Sequence, residues 1–191
     1  MDKILDEAYK LYMPQHRDEI QGLAEFIKKH NPKITVEIGS KFGGTFMIWN
    51  EVFDGIKISV DLVAGIHGGI TREETDKRND LFNSKYNDCV FIEGNSHEQS
   101  TYDKLVEVLD GKEVDFMFID GDHTYEGVKQ DFKMYSPLVK KGGHVAFHDI
   151  NDTEYHRGRN VFVEQLWTEL EGDKIEFNVN EEWGGIGVIS V

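Results

Sequence analysis

Residues 34–45 read Ile34-Thr35-Val36-Glu37-Ile38-Gly39-Ser40-Lys41-Phe42-Gly43-Gly44-Thr45, a β-branched run that ends in glycine. Pro32 breaks the preceding segment, and Phe46, Trp49, Val52 and Phe53 follow at helical spacing. Strand, Gly-rich turn and helix in that order form the opening of a parallel crossover unit. The same pattern recurs downstream. A strand at 57–61 is followed by a Gly-rich loop at 64–69 and a polar helix that Thr71-x-x-Glu74 opens as a capping box. A strand at 90–93 precedes Gly94-Asn95-Ser96 and a helix carrying Tyr102, Leu105, Val106 and Leu109, for which Ser96-x-x-Gln99 offers a second capping box. Residues 114–119 are almost wholly apolar, as befits a strand covered on both faces. A helix at 125–139, Gly142-Gly143 and a strand at 144–148 complete five β-then-α units.

Upstream, Ile4, Leu5, Ala8, Leu11 and Tyr12 mark one amphipathic helix, and residues 19–30 a second that Asn31-Pro32 stops. Downstream, Phe162, Leu166, Trp167 and Leu170 share a helix face, and strands at 174–179 and 185–191 close the chain as a hairpin. The expectation is an α/β fold: a doubly wound, mostly parallel sheet with helices on both faces and an antiparallel edge. The 191 residues are expected to form one domain, with N-terminal helices at 1–31 and the core at 33–191.

Composition narrows the partners. Lys+Arg 21 against Asp+Glu 36 leaves a net charge of −15, and no segment gathers enough basic residues to track phosphates. Nucleic acid and anionic membranes are therefore not expected. Cys89 is the only cysteine, which excludes an internal disulfide framework and any multi-thiolate metal site. No eighteen apolar residues run together, and residues 1–7 lack a signal-peptide core, so a cytoplasmic location is the default.

In doubly wound sheets ligands bind at the carboxyl ends of the strands. Gly39-x3-Gly43 lacks the G-x-G-x-x-G of dinucleotide binders and the G-K-[ST] of a Walker A loop. Asp61, twenty-two residues after Gly39, is placed to accept ribose hydroxyls, its plainer role being to cap a loop. Glycine turn and acid together suggest a nucleoside without pyrophosphate. The fourth and fifth strands end in Asp120-Gly121-Asp122-His123 and His148-Asp149. Asp120, His148 and Asp149 offer oxygen and nitrogen ligands for a metal, and His123 suits a general base. In the plainer reading Asp122 and Asp149 cap turns and the histidines bond to backbone. His67 and His97 read as solvated loop residues, Trp49 and Trp167 as core. Trp183, beside Glu182, faces a substrate or closes the hairpin, and Tyr155, His156 and Arg157 mark a candidate acceptor loop.

Glu37-x-Gly39-x3-Gly43-Gly44-Thr45, Asp61, Gly94-Asn95-Ser96-His97, Ile119-Asp120-Gly121-Asp122-His123-x-Tyr125-x2-Val128-x2-Asp131, and Gly142-Gly143 before His148-Asp149 together resemble a Rossmann-type S-adenosylmethionine-dependent methyltransferase. The resemblance covers 33–191 and is nearest to a small bacterial subgroup with Asp-Gly-Asp-His-x-Tyr. It implies a seven-stranded sheet whose last strand is antiparallel. It further implies that Glu37, Gly39, Ser40 and Gly43 hold the methionine end of the cofactor, Asp61 the ribose, and Asn95 with Ser96 the adenine, with Asp120 close by. Asp120, His148 and Asp149 match the cation site of related O-methyltransferases, but His148 replaces an oxygen ligand and so departs from a magnesium-type site. The implied activity is O-methylation of a small hydroxylated metabolite, a sugar or natural product, with His123, Asp120 and His148 as catalytic residues and a divalent cation as second cofactor. A nicotinamide-dependent oxidoreductase and a non-catalytic cofactor-binding module are the competing readings. Loop 62–70 is expected to cover the cofactor, the N-terminal helices to wall the substrate side, and a homo-oligomer would complete so lightly lidded a pocket.

Overall fold

Strand β1 (Ile34–Ile38) is buried at every position and lies between β2 (Ile56–Asp61) and β4 (Val114–Ile119), parallel to both. The computed structural model describes residues 1–63, 69–179 and 183–191. Residues 64–68 of the loop expected to cover the cofactor, His67 among them, and Glu182 lie outside the described residues. Beyond β2 stands β3 (Cys89–Glu93), and beyond β4 stands β5 (Val139–His148). β7 (Ile186–Ser190) runs antiparallel to β5 and to β6 (Lys174–Phe177), so the order is 3-2-1-4-5-7-6. The expected sheet, seven strands with the last antiparallel, is what forms. Growth of the sheet reverses between β1 and β4, which leaves a crevice at their carboxyl ends.

Strand alternation divides the core into two layers. Ile34, Val36, Ile38, Met117, Ile119, Val145 and Phe147 face α5 (Gln99–Leu109), α6 (Tyr125–Tyr135) and α8 (Val163–Glu169). Phe116, Phe118, Ala146 and Val188 face α1 (Asp2–Tyr9), α2 (Arg17–Lys28) and α3 (Gly44–Val52), where Trp49 is fully buried. Trp167 belongs to the first layer, so both tryptophans expected in the core are there. By the same parity Glu37 and His148 lie on the α1–α3 side, which decides the neighbours of the site. Helix α4 (Arg72–Lys85) adds Phe82 to that layer, and its capping box at Thr71 and Glu74 forms as expected.

Two boundaries differ from expectation. The helix at 125–139 ends at Tyr135, because Pro137 sits in a 3-10 turn over Ser136–Leu138. β5 therefore starts at Val139, opposite Val114, and carries Gly142-Gly143 inside it; the register shift between Val114 and Phe116 absorbs the extra residues. Ser96 does not cap α5. Glu98 is the N-cap without a side-chain bond, while Asn95 Oδ1 accepts from the His97 N–H at 3.0 Å and turns the chain earlier. A one-turn helix, α7 (Glu154–Arg157), follows β5 and was not foreseen. Among the described residues no helix is long and apolar enough to cross a membrane.

Candidate active site

Backbone bonds continue past the strand ends: the Gly39 N–H donates to Val60 O and the Asp120 N–H to Ile38 O, both at 2.9 Å. Gly39 has φ +87°, and a Cβ there would stand 2.3 Å from Asp120 O, so only glycine permits this approach. At Gly44 a Cβ would meet Met13 Cβ at 2.6 Å, and this contact lets the segment between α1 and α2 close over the turn. The result is a cleft of about 850 Å³ across the carboxyl ends of β1 to β5.

On one side of this cleft stand Gly39, Ser40, Asp61, Asn95 and Ser96, five of the expected cofactor residues. Glu37 and Gly43 are not among the lining residues. Glu37 is fully buried behind Thr45, a residue of the cleft wall whose Oγ1 donates to Glu37 Oε1 at 2.6 Å. Burial pushes the Glu37 carboxyl up to about 8, against the hydrogen bond from Thr45 that favours its ionised form. Its other oxygen is buried without a partner. Asp61 is paired with the buried guanidinium of Arg78, which also donates to Lys41 O at 2.6 Å. Burial lifts the Asp61 pKa even so. Asp61 is therefore held by an arginine beneath the turn, a partner that reading 72–85 simply as a polar helix did not reveal. His97, expected to be solvated, lines the cleft beside fully buried Asp131, with Nε2 at 3.4 Å from Asp131 Oδ1, and that carboxylate raises its pKa.

The other side gathers Asp120, His123, His148 and Asp149, as the strand ends suggested. His123 Nδ1 is bonded to Asp149 Oδ2 at 2.7 Å, and its Nε2 stands 3.5 Å from Asp120 Oδ1. His148, 3 % exposed, has Nδ1 at 3.1 Å from Asp120 Oδ1 and 3.3 Å from Asp149 Oδ1, while its Nε2 is buried without a partner. Burial alone would lower both imidazole pKa values, but the charges of Asp149 and Asp120 outweigh it: His123 is raised, and His148 reaches about 9. Burial likewise opposes ionisation of Asp149, yet the histidines hold its carboxyl well below the usual range. Asp149 takes φ +63°, a conformation that costs about 1 kcal/mol or more in a residue with a Cβ and that sets its carboxylate among these imidazoles. Asp122 has the plainer role, accepting from the Thr124 N–H at 2.9 Å ahead of α6.

Gln15 was missed by sequence reasoning. Its Nε2 donates to Asp120 Oδ2 at 2.6 Å, Tyr9 Oη bonds its backbone carbonyl, and its Oε1 is buried in the cleft wall with no partner. A single glutamine between two helices carries no periodic signal. The cleft wall here is Tyr12, Met13, Pro14 and Gln15, the segment between α1 and α2, and not the N-terminal helices themselves. Of the expected acceptor loop, Tyr155 and His156 line the cleft, whereas Arg157 turns to Asp152; Trp183 lines it as well.

A carboxylate oxygen and one nitrogen each from His123 and His148 lie within 4.8 Å of one another around Asp120. This donor set suits a borderline transition ion and not the oxygen octahedron that magnesium prefers. Asp149, the third residue expected as a ligand, stands outside that group and is bonded to His123 Nδ1.

Residues 36–150 match a family model described as a methyltransferase domain. The uncharacterized protein R132 of Acanthamoeba polyphaga mimivirus is 34% identical over 164 residues, 83% of this chain and 70% of its own. Among solved structures, the O-methyltransferase from Bacillus cereus in complex with S-adenosylhomocysteine aligns with a TM-score of 0.68 at 14% identity, over 100% of this chain and 92% of that one. The O-methyltransferase TomG from Streptomyces achromogenes, involved in tomaymycin synthesis and solved with S-adenosylmethionine, gives 0.66 at 12%, over 100% and 90%. At such identities the shared feature is the fold.

Proposed function

The chain belongs to the methyltransferase-domain family, on the Rossmann-type fold of S-adenosylmethionine-dependent methyltransferases, and from that premise we propose that it methylates a hydroxyl group of a small metabolite. The observation that carries this reading is one cleft that joins the Gly39 turn to a cluster of two carboxylates and two imidazoles. Bound S-adenosylmethionine supplies a methyl group on a positively charged sulfur. The chain's own residues fit that ligand: the Gly39 turn leaves no room for a side chain, and the unpartnered Gln15 Oε1 calls for a donor such as an ammonium group. In this reading Ser40 and Thr45 hold the amino-acid end, with Glu37 acting through Thr45. Asp61, fixed by Arg78, receives the ribose, and Asn95 with Ser96 borders the adenine.

Methyl transfer needs the acceptor oxygen held in line behind the sulfur, and a hydroxyl must lose its proton as it attacks. Asp149 fixes His123 through Nδ1, which leaves Nε2 to take that proton. The raised pKa makes this imidazole a stronger base than a free one. The Asp120 and Asp149 carboxylates stabilise the protonated ring; alternatively Asp120, His123 and His148 would hold a divalent cation, which would supply acidification of the hydroxyl.

Calorimetric titration of the purified protein tests the cofactor half. S-adenosylhomocysteine is expected to bind with micromolar affinity or better and NADH not at all; the reverse result overturns the reading. Release of S-adenosylhomocysteine during an acceptor screen tests turnover, with His123→Ala and Asp120→Ala expected to slow it at least about 100-fold. Wild-type rates in both variants would remove the cluster from the mechanism.

A further inference from the structure

The chain has five arginines, and Arg17, Arg72, Arg78 and Arg157 each stand within ion-pair distance of a carboxylate. Arg159 has no acidic partner among the described residues, although Asp and Glu outnumber Lys and Arg 36 to 21. It lines the cleft on the side built by the chain after β5, together with Tyr155 and Trp183. The guanidinium carbon lies 3.7 Å from the Tyr155 ring centroid, and one N–H donates to Tyr155 O at 3.3 Å. Stacking on a ring orients the group and strips water from one face, while four of its five N–H donors are left for a ligand. The neighbouring wall is aromatic: Trp183 lies 6.5 Å from Tyr155, and the His16 ring packs on Trp183 at 4.0 Å. The other long-chain cation of the cleft, Lys41, stands over the Tyr12 ring beside the cofactor turn.

We propose that Arg159 binds the anionic group of the methyl acceptor, and that this acceptor is a hydroxylated aromatic carboxylate. The inference rests on the methyltransferase reading and narrows it. A guanidinium pairs with a carboxylate through two parallel, charge-assisted hydrogen bonds. A single guanidinium on this wall, with the cleft's other long-chain cation, Lys41, beside the cofactor turn, matches one negative charge. The aromatic wall suits a flat ring, whose hydroxyl then lies toward His123.

The test uses the full chain saturated with S-adenosylhomocysteine and titrated with 3,4-dihydroxybenzoate or with the neutral 3,4-dihydroxybenzyl alcohol. The carboxylate is expected to bind the wild type at least tenfold more tightly than the alcohol. Arg159→Ala should abolish that preference and Arg159→Lys restore part of it, with affinity for S-adenosylhomocysteine unchanged within twofold in both. Equal affinity of the two probes for the wild type, a preference that survives Arg159→Ala, or binding of neither probe overturns the inference and leaves the methyltransferase reading standing. Failure of S-adenosylhomocysteine itself to bind the wild type overturns that reading and the inference with it.

Discussion

Gln15 gives Asp120 its shortest hydrogen bond, and the pair joins residues 105 positions apart. Gln15→Ala removes the donor and is expected to lower kcat/KM about 10-fold to 100-fold while the protein stays folded, because one hydrogen bond to a charged group is worth about 1.5–3 kcal/mol. Gln15→Glu should do more harm, since it sets a carboxylate against Asp120. Wild-type kinetics in both variants would make Gln15 a spectator. Glu37 supports a second prediction. Burial holds its folded pKa at about 8, above the ordinary 4.5, so between these values the folded state binds a proton that the unfolded state has lost. Stability therefore falls as pH rises through this window, by about 1.4 kcal/mol per unit at most. Denaturant titrations of Glu37→Gln at pH 5 and 8 should show a flatter profile than the wild type; parallel profiles would contradict the buried neutral acid. At this scale Asp120, His123, His148 and Asp149 were legible because charged residues that end apolar strands stand out. Gln15 was not, because an uncharged side chain outside any periodic segment has only its spatial neighbours to reveal it.

Helix α4 shows what an element adds to its residues. Thr75, Arg78 and Phe82 form its buried stripe, yet only one of the three is apolar, so the sequence shows no more than a polar helix. Arg78→Ala would leave the Asp61 carboxylate buried without its cation, at a cost of about 3–5 kcal/mol when such a pair is broken on one side. Part of that cost is relieved if Asp61 takes up a proton. The expected result in urea unfolding is a loss above about 2 kcal/mol together with weakened S-adenosylhomocysteine binding. A loss below 1 kcal/mol would mean that Arg78 does not anchor the acid. Thr71→Ala, which removes a formed capping box on the same helix, should cost only about 1 kcal/mol and leave binding intact. Start signals of this kind were legible because a cap bonds to backbone three residues away. Ser96 carried the same spacing and failed, since Asn95 had already turned the chain. The end of α6 was misplaced for a similar reason: Pro137 stops a helix locally, but where β5 begins depends on its pairing with β4.

For the molecule as a whole, a ligand seated in a cleft that spans the ends of β1 to β5 would tie the two halves of the sheet together. S-adenosylhomocysteine at about 100 times its Kd should add about 2.7 kcal/mol, which for a chain of this size raises Tm by roughly 5–10 °C. Asp61→Asn should blunt that shift, and no shift in the wild type would deny a ligand site in the cleft. Strand and helix types, the turn at Gly39, the two-layer core and the acids and histidines at strand ends were all determined by sequence alone, because each follows from side-chain periodicity or from backbone bonds a few residues long. The tertiary structure alone decided the strand order, the meeting of Gln15 with Asp120 and Arg78 with Asp61, the grouping of Asp120 with His123 and His148, and the stacking of Arg159 on Tyr155. Those contacts depend on which elements become neighbours and in what register, and sheet packing sets both across distances that local propensity does not reach.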